Sequence, residues 1–352
     1  MKIKKPKLNF KFRRTDVERI LITCSAALVV LLAVRGGGPT EMYEEPYDQI
    51  PAEQTAATAE TPTQATVVYY QDGDGYLVPV QRDVAKQDGI AKATLSLMVK
   101  SAKNDMEAAR LGLLTVVPEG TTFDLNIENG HAKVDLSANA LNVATAEQES
   151  NMVSAMVWAL TEFPTVNDVE FMVDGKKLKT LPHGTPVEGR MKREGLNMES
   201  VETVETFAGA NQVQLYFPSD SGRLLVPVTR TVYSDDDITT AMLELLKGPK
   251  QDSGLQTPLP ADAALLGVTL KDGVATVNFT EEFIKVSEQS DGGMQSLRAL
   301  MMTCRQFPGV KKVEIQVDGK PYKLPSGQED QPTFANVASE VVQQFPEVMQ
   351  EE

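Results

Sequence analysis

Leu77-Val78-Pro79-Val80 recurs 148 positions later as Leu225-Val226-Pro227-Val228. The echo continues along the chain. Glu162-Phe163-Pro164-Thr165-Val166 returns as Gln306-Phe307-Pro308-Gly309-Val310, and Val173-Asp174-Gly175-Lys176 returns as Val317-Asp318-Gly319-Lys320, both 144 positions on. Residues 213–324 therefore restate residues 67–178. A period this long lies far outside the ~20–50 residues of solenoid repeats, so it predicts a duplicated globular domain. The duplication is also a filter. A reactive group present in one copy only cannot carry a property that both copies share.

Within each copy the apolar pattern predicts the same elements. A hairpin opens the first copy, Val67–Tyr70 and Tyr76–Val84 around a turn at Asp72–Gly75. Its counterpart is Val213–Phe217 and Leu224–Val232 around Ser219–Gly222. Pro79 and Pro227 bring no amide donor to the return strand, which predicts an edge strand or a bulge. A helix follows, marked by Ile90, Ala93, Leu97 and Met98, and by Ile238, Ala241, Leu245 and Leu246. After a variable loop come two short strands around Asn129-Gly130 and Asp272-Gly273. These pairs suit type I′ turns, whose two central residues both need positive φ. A longer helix is predicted over Gln148–Phe163 and Gly293–Phe307, closed by Pro164 and Pro308. A last strand covers Val169–Val173 and Val313–Val317. The expected fold class is α+β: two tandem domains, each a small, mainly antiparallel sheet with two helices packed on it.

The 352 residues are 41% hydrophobic and 24% charged, enough for two cores at ~100–150 residues per domain. Charge is unevenly spread. Residues 1–19 hold eight bases and two acids, a balance of +6, and the chain total is −15, so the remainder carries −21. A body this acidic repels phosphate backbones, which argues against nucleic-acid binding. Ile20–Val34 is an uncharged run of 15 residues, shorter than the ~20 of a full membrane span. Residues 20–35 read as an uncleaved single-pass anchor, with the basic 1–19 in the cytoplasm and the rest outside. A cleaved signal segment and lipidation at Cys24, within Leu21-Ile22-Thr23-Cys24, are the alternatives. No small-x-small site follows the run, and Thr23 is a poor residue before a lipidated Cys. Residues 36–65 form an acidic spacer expected to be disordered. The domains then span 66–180 and 212–325. A joining segment covers 181–211, with a short helix near Met198–Val204, and an acidic tail covers 326–352, with one amphipathic helix over Val337–Phe345.

No candidate reactive group passes the duplication filter. Asp72-Gly73-Asp74-Gly75 invites a calcium reading, but the fifth and sixth loop positions are Tyr76 and Leu77, and copy two offers only Asp220. A turn is the better reading. Asp135 is matched by Asn278, and an amide cannot exchange a proton at neutral pH, so this pair reads as structural. His131 is matched by Val274, and His183 lies in the joining segment, so no nucleophile can have a His base in both copies. Cys24 and Cys304 do not form a disulfide framework, and two His residues cannot complete a metal cluster with them. Gly292-Gly293 is not followed by the Lys-Ser/Thr of a phosphate loop. Trp158, matched by Met302, reads as core packing before a sugar platform. Paired carboxylates stay open as an alternative, although in so acidic a chain most face solvent. No catalytic, cofactor or metal residue is assigned, and no cofactor is expected.

With these residues in view, both copies resemble the GerM domain family of endospore-forming bacteria. The resemblance rests on Leu-Val-Pro-Val, on Leu245-Leu246-Lys247-Gly248-Pro249, on the hairpin Asp272–Phe279, and on Phe-Pro-Gly-Val followed by Val-Asp-Gly-Lys. It covers about two thirds of the chain, and copy two matches more closely than copy one. The family implies an extracytoplasmic, membrane-tethered, non-enzymatic protein. Its domain is similar to the ring-building motifs of the sporulation secretion channel. Expected partners are the membrane, envelope proteins or further copies of the chain, with peptidoglycan binding as the alternative and wall hydrolysis a more distant one.

Overall fold

The tight turns carry the geometry their sequence asks for. Asn129 and Gly130 have φ of 53° and 80°, and Asp272 and Gly273 have 54° and 85°. Both central residues of each turn are left-handed, the type I′ arrangement that matches strand twist. This is a computed structural model of the chain, and it describes residues 62–87, 89–199, 210–235, 237–289, 291, 293–323 and 335–338. The predicted anchor over 20–35, the spacer before residue 62 and the helix over Val337–Phe345 lie wholly or mostly outside these residues. Among the described residues no helix is long and apolar enough to cross a membrane.

Copy one comprises β1 (Thr63–Gln71), β2 (Leu77–Ala85), α1 (Ile90–Met98), α2 (Ala102–Ala109), β3 (Phe123–Glu128), β4 (His131–Leu136), α3 (Ala146–Thr161) and β5 (Asp168–Val173). Copy two comprises β6 (Asn211–Pro218), β7 (Leu225–Val232), α4 (Ile238–Lys247), β8 (Leu265–Lys271), β9 (Val274–Phe279), α5 (Met294–Arg305), β10 (Lys312–Val317) and β11 (Lys320–Pro321). A last short strand, β12 (Asn336–Val337), comes from the tail. Side chains cap three of these helices: Ser101 for α2, Thr145 for α3 and Asp237 for α4 accept the amides of Asn104, Gln148 and Thr240.

The mixed α/β content agrees with expectation, but the single sheet does not. Each copy holds a separate antiparallel hairpin, β1-β2 or β6-β7, and a mixed sheet, β3-β4-β5 or β8-β9-β10-β11. In the mixed sheets β4 and β5 run parallel, as do β9 and β10. The cause is the helix between them. A strand–helix–strand crossover returns the chain in the same direction, which a two-residue turn cannot do. Copy one also has a helix, α2, where a variable loop was expected.

Helices α1 and α3 pack on β1, and α4 and α5 pack on β6. Leu95, Met98, Met152 and Leu160 are fully buried in copy one, and Leu245, Leu297, Leu300 and Phe279 in copy two. Burying each such side chain contributes about 1.5–3 kcal/mol. The joining segment also reaches the core: Leu181, Val187 and Leu196 are buried.

Candidate functional site at the junction of the copies

The two hairpins meet through β2 and β7, and two asparagines hold the seam. Asn197, in the joining segment, brackets Leu77 of copy one. Its Oδ1 accepts the Leu77 amide at 2.8 Å, and its Nδ2 donates to the Leu77 carbonyl at 2.8 Å. The same Nδ2 donates across the seam to the Pro227 carbonyl of copy two at 2.7 Å. Asn336, in the tail, repeats this with the copies exchanged. Oδ1 accepts the Leu225 amide at 2.8 Å, and Nδ2 donates to the carbonyls of Leu225 at 2.9 Å and Pro79 at 3.0 Å. Leu77 corresponds to Leu225, and Pro79 to Pro227. The next residues follow the same rule: Met198 pairs in parallel with Thr229, and Val337 with Gln81. The junction is thus pseudo-two-fold, with each copy's trailing segment laid along the other copy's return strand.

The prolines explain why asparagine is used. Pro79 and Pro227 offer a carbonyl but no N–H, so a strand edge there can only be met by a donor. A side-chain amide supplies two donors and an acceptor in one group. Asn also tolerates the left-handed backbone that Asn197 adopts, with φ of 50°. Around the clasps Leu77, Val78, Val80, Leu225, Val226 and Val228 are buried.

Two matched tyrosines, Tyr69 and Tyr216, are buried beside this seam. The Tyr69 hydroxyl donates to Glu162 at 2.8 Å, and Glu162 pairs with Arg193 at 2.8 Å. Burial, with Glu162 adding to it, pushes the Tyr69 phenol well above its ordinary value. Arg193 lies 4.5 Å from the Trp158 ring. Trp158 is half-buried and lies partly against Tyr69, at 5.9 Å between ring centres.

The other residues singled out by sequence serve local structure. Asp72 Oδ1 accepts the amides of Asp74 and Tyr76 at 3.0 and 2.8 Å, which makes the Asp-Gly-Asp-Gly stretch an Asx-type turn. Asp135 Oδ1 accepts the Gly175 amide at 2.9 Å, and Asn278 Oδ1 accepts the Gly319 amide at 3.0 Å. Carboxylate and amide do one job here, holding the turn after β5 and after β10. Cys304 is buried, 3.8 Å from the Met242 sulfur, and burial pushes its thiol up to about 12. Cys24 and Gly292 lie outside the described residues, and Gly293 caps α5 with φ of 78°.

Structure also assembles groups that the sequence kept apart. His131, across the parallel β4–β5 pair, hydrogen-bonds through Nδ1 to Asp168 and lies 3.3 Å through Nε2 from Glu170. Lys177 donates to Glu170 at 2.5 Å, and this bond is the main cause holding the Glu170 carboxyl below its ordinary value. Glu149, fully buried on α3, accepts the amides of His183 and Thr185 at 2.9 and 3.0 Å. Burial pushes its carboxyl up, but these amides outweigh that and hold it below the ordinary glutamate value. In copy two Val274, Lys312 and Gly293 occupy the places of His131, Asp168 and Glu149, and Glu314, the match of Glu170, pairs with Lys312 at 3.0 Å. Among the described residues no three His, Cys, Asp or Glu side chains are placed to share a metal ion. The clasp asparagines had only a faint sequence signal, an apolar-Asn-apolar triplet after each copy (Leu196-Asn197-Met198 and Ala335-Asn336-Val337).

Known proteins share this plan. The chain is 30% identical over 263 residues to the spore germination protein GerM of Bacillus subtilis strain 168, covering 72% of this chain and 71% of that protein. Among solved structures, the tandem GerMN domains of the sporulation protein GerM from Bacillus subtilis superpose with a TM-score of 0.65 at 27% identity. That match covers 78% of this chain and 99% of the other. The Germane family model, described as sporulation and spore germination, matches residues 67–179 and again 214–323. Two matches spanning more than half the sequence, each on one copy of the repeat, place the chain in the Germane family of sporulation and spore germination.

Proposed function

We propose that this protein is a membrane-anchored, extracytoplasmic assembly component that supports an envelope complex of sporulation or germination by domain packing, without catalysis. The observation that carries this reading is the junction. What the two copies share is turn geometry and a pair of reciprocal Asn clasps, while the groups around His131 and Glu149 belong to copy one. Such a body is suited to present fixed surfaces to partners. The basic segment 1–19, the apolar run 20–34 and the acidic spacer support an anchor that holds the domains away from the bilayer.

The test uses the full chain in sporulating cells. Membranes are washed with alkaline carbonate and the chain is crosslinked in place. The expected result is a membrane-retained protein that shifts into crosslinked species of defined size, with retention lost when residues 1–35 are deleted. A chain recovered as an uncrosslinked soluble monomer overturns the reading. An alternative reading as a wall-binding module draws on a cavity in copy one.

A further inference from the structure

Helix α3 carries Ser150, Ser154 and Trp158 at four-residue spacing, which places them on one face. Between that face and the chain at 191–198 lies a cavity of about 290 Å³. The matching α5 residues Arg298 and Met302 are buried, whereas Ser150 is exposed and Ser154 and Trp158 are half-buried.

We propose that this cavity binds a saccharide unit. A pyranose ring shows hydroxyls at its edge and C–H groups on its faces. The cavity offers both matching surfaces. Trp158, Leu77 and Val157 supply apolar wall, and Ser150, Ser154 and Asn151 supply hydroxyls and an amide. Asn151 commits its Nδ2 to the Gly75 carbonyl at 2.9 Å, which leaves Oδ1 to accept from a ligand hydroxyl. Lys192 and Glu194 both line the cavity, so neither sign of charge dominates and a neutral ligand is favoured. Ligand pockets run from ~300 to ~1,000 Å³, so this one suits one or two rings. Arg193 covers one face of the indole and steadies the ring for contact along its remaining surface. The assembly role does not depend on this site, so either can fail alone.

Trp158 is the only tryptophan of the chain, so its fluorescence reports on the cavity directly. The full chain is titrated with the N-acetylglucosamine dimer and, separately, with maltose, into the millimolar range. A saturable change in emission is expected with at least one sugar. A response to the dimer alone identifies an N-acetylated glycan as ligand, and a response to both identifies general hydroxyl recognition. Ser154→Leu fills the cavity and is expected to weaken binding about tenfold or more, with the far-ultraviolet circular dichroism unchanged. Should that variant misfold, Ser150→Leu, at an exposed position, takes its place. No saturable response to either sugar overturns the proposal, and so does an undiminished response in the filled variant.

Discussion

Just past its longer helix copy one carries Glu162, and at the same place copy two carries Gln306. Glu162 accepts from the Tyr69 hydroxyl and pairs with Arg193. Gln306 turns its amide onto the backbone of β6 instead, accepting the Gln214 amide at 2.9 Å and donating to the Gln214 carbonyl. Thr303, one turn earlier, accepts the Tyr216 amide at 3.2 Å. In copy two, side chains at the end of α5 and just past it thus close the open edge of the hairpin, where an unpaired edge strand would invite association. The difference teaches where each copy is free to vary. Side chains that seal an edge or fill a groove diverge. Positions that answer a backbone demand stay alike, as at Asn129-Gly130 and Asp272-Gly273, or at Asp135 and Asn278.

The largest expected effect breaks the symmetry at Glu149. Glu149→Ala strands two amides, those of His183 and Thr185, and leaves a cavity. It is expected to lower unfolding stability by about 3 kcal/mol, as measured by denaturant titration of the full chain. The same carboxyl makes copy one acid-sensitive. Its folded value lies below the ordinary 4.5, so its contribution is complete above the unfolded value and is lost as pH falls through the folded one. Stability measured from pH 7 downward should show this loss below about pH 4.5, and Glu149→Gln should remove that component. An unchanged acid profile in Glu149→Gln would show that the two amides do not require a charge.

The clasps should behave as a matched pair. Asn197→Ala and Asn336→Ala each remove three hydrogen bonds and are expected to cost about 2 kcal/mol apiece. The two costs should agree within ~1 kcal/mol, and a double-mutant cycle should show coupling, because both side chains hold one seam. A large cost at Asn197 with almost none at Asn336 would mean that the tail clasp is ornamental. Smaller still, Asp135→Asn and Asn278→Asp should each change stability by under ~0.5 kcal/mol, while either Ala variant should cost about 1 kcal/mol. A large loss in Asp135→Asn would refute the shared turn-holding role. Last, Cys304 should resist a thiol reagent at about pH 8 in a Cys24→Ser background until the chain is unfolded, since burial pushes its thiol up to about 12.

Much of the local fold was legible. Turn pairs such as Asn129-Gly130 declare positive φ in their own residue types, and the apolar period of α3 and α5 declares a helix. What escaped was anything decided by pairing at a distance. The parallel register of β4 with β5 depends on how α3 crosses the sheet, and only that register sets His131 beside Asp168. Helix α2 was missed because its one cap, Ser101, and a stretch of Ala, Lys and Asn carry little apolar period. Ser154 and Trp158 were legible as a helical face. That the face stays open in copy one depends on the chain at 191–198, whose course no local pattern predicts.

By itself the sequence determined that the chain holds two copies of one unit, with their turns, helices and hairpins, because those follow from short-range sterics and from apolar periodicity. It also determined that the candidate reactive residues do not recur in both copies, as at His131 and Val274. Only the tertiary structure decided how the copies join. Asn197 and Asn336 are ordinary loop residues until β2 and β7 come together. Then Pro79 and Pro227 present carbonyls but no N–H in a buried seam, and a side-chain donor meets them.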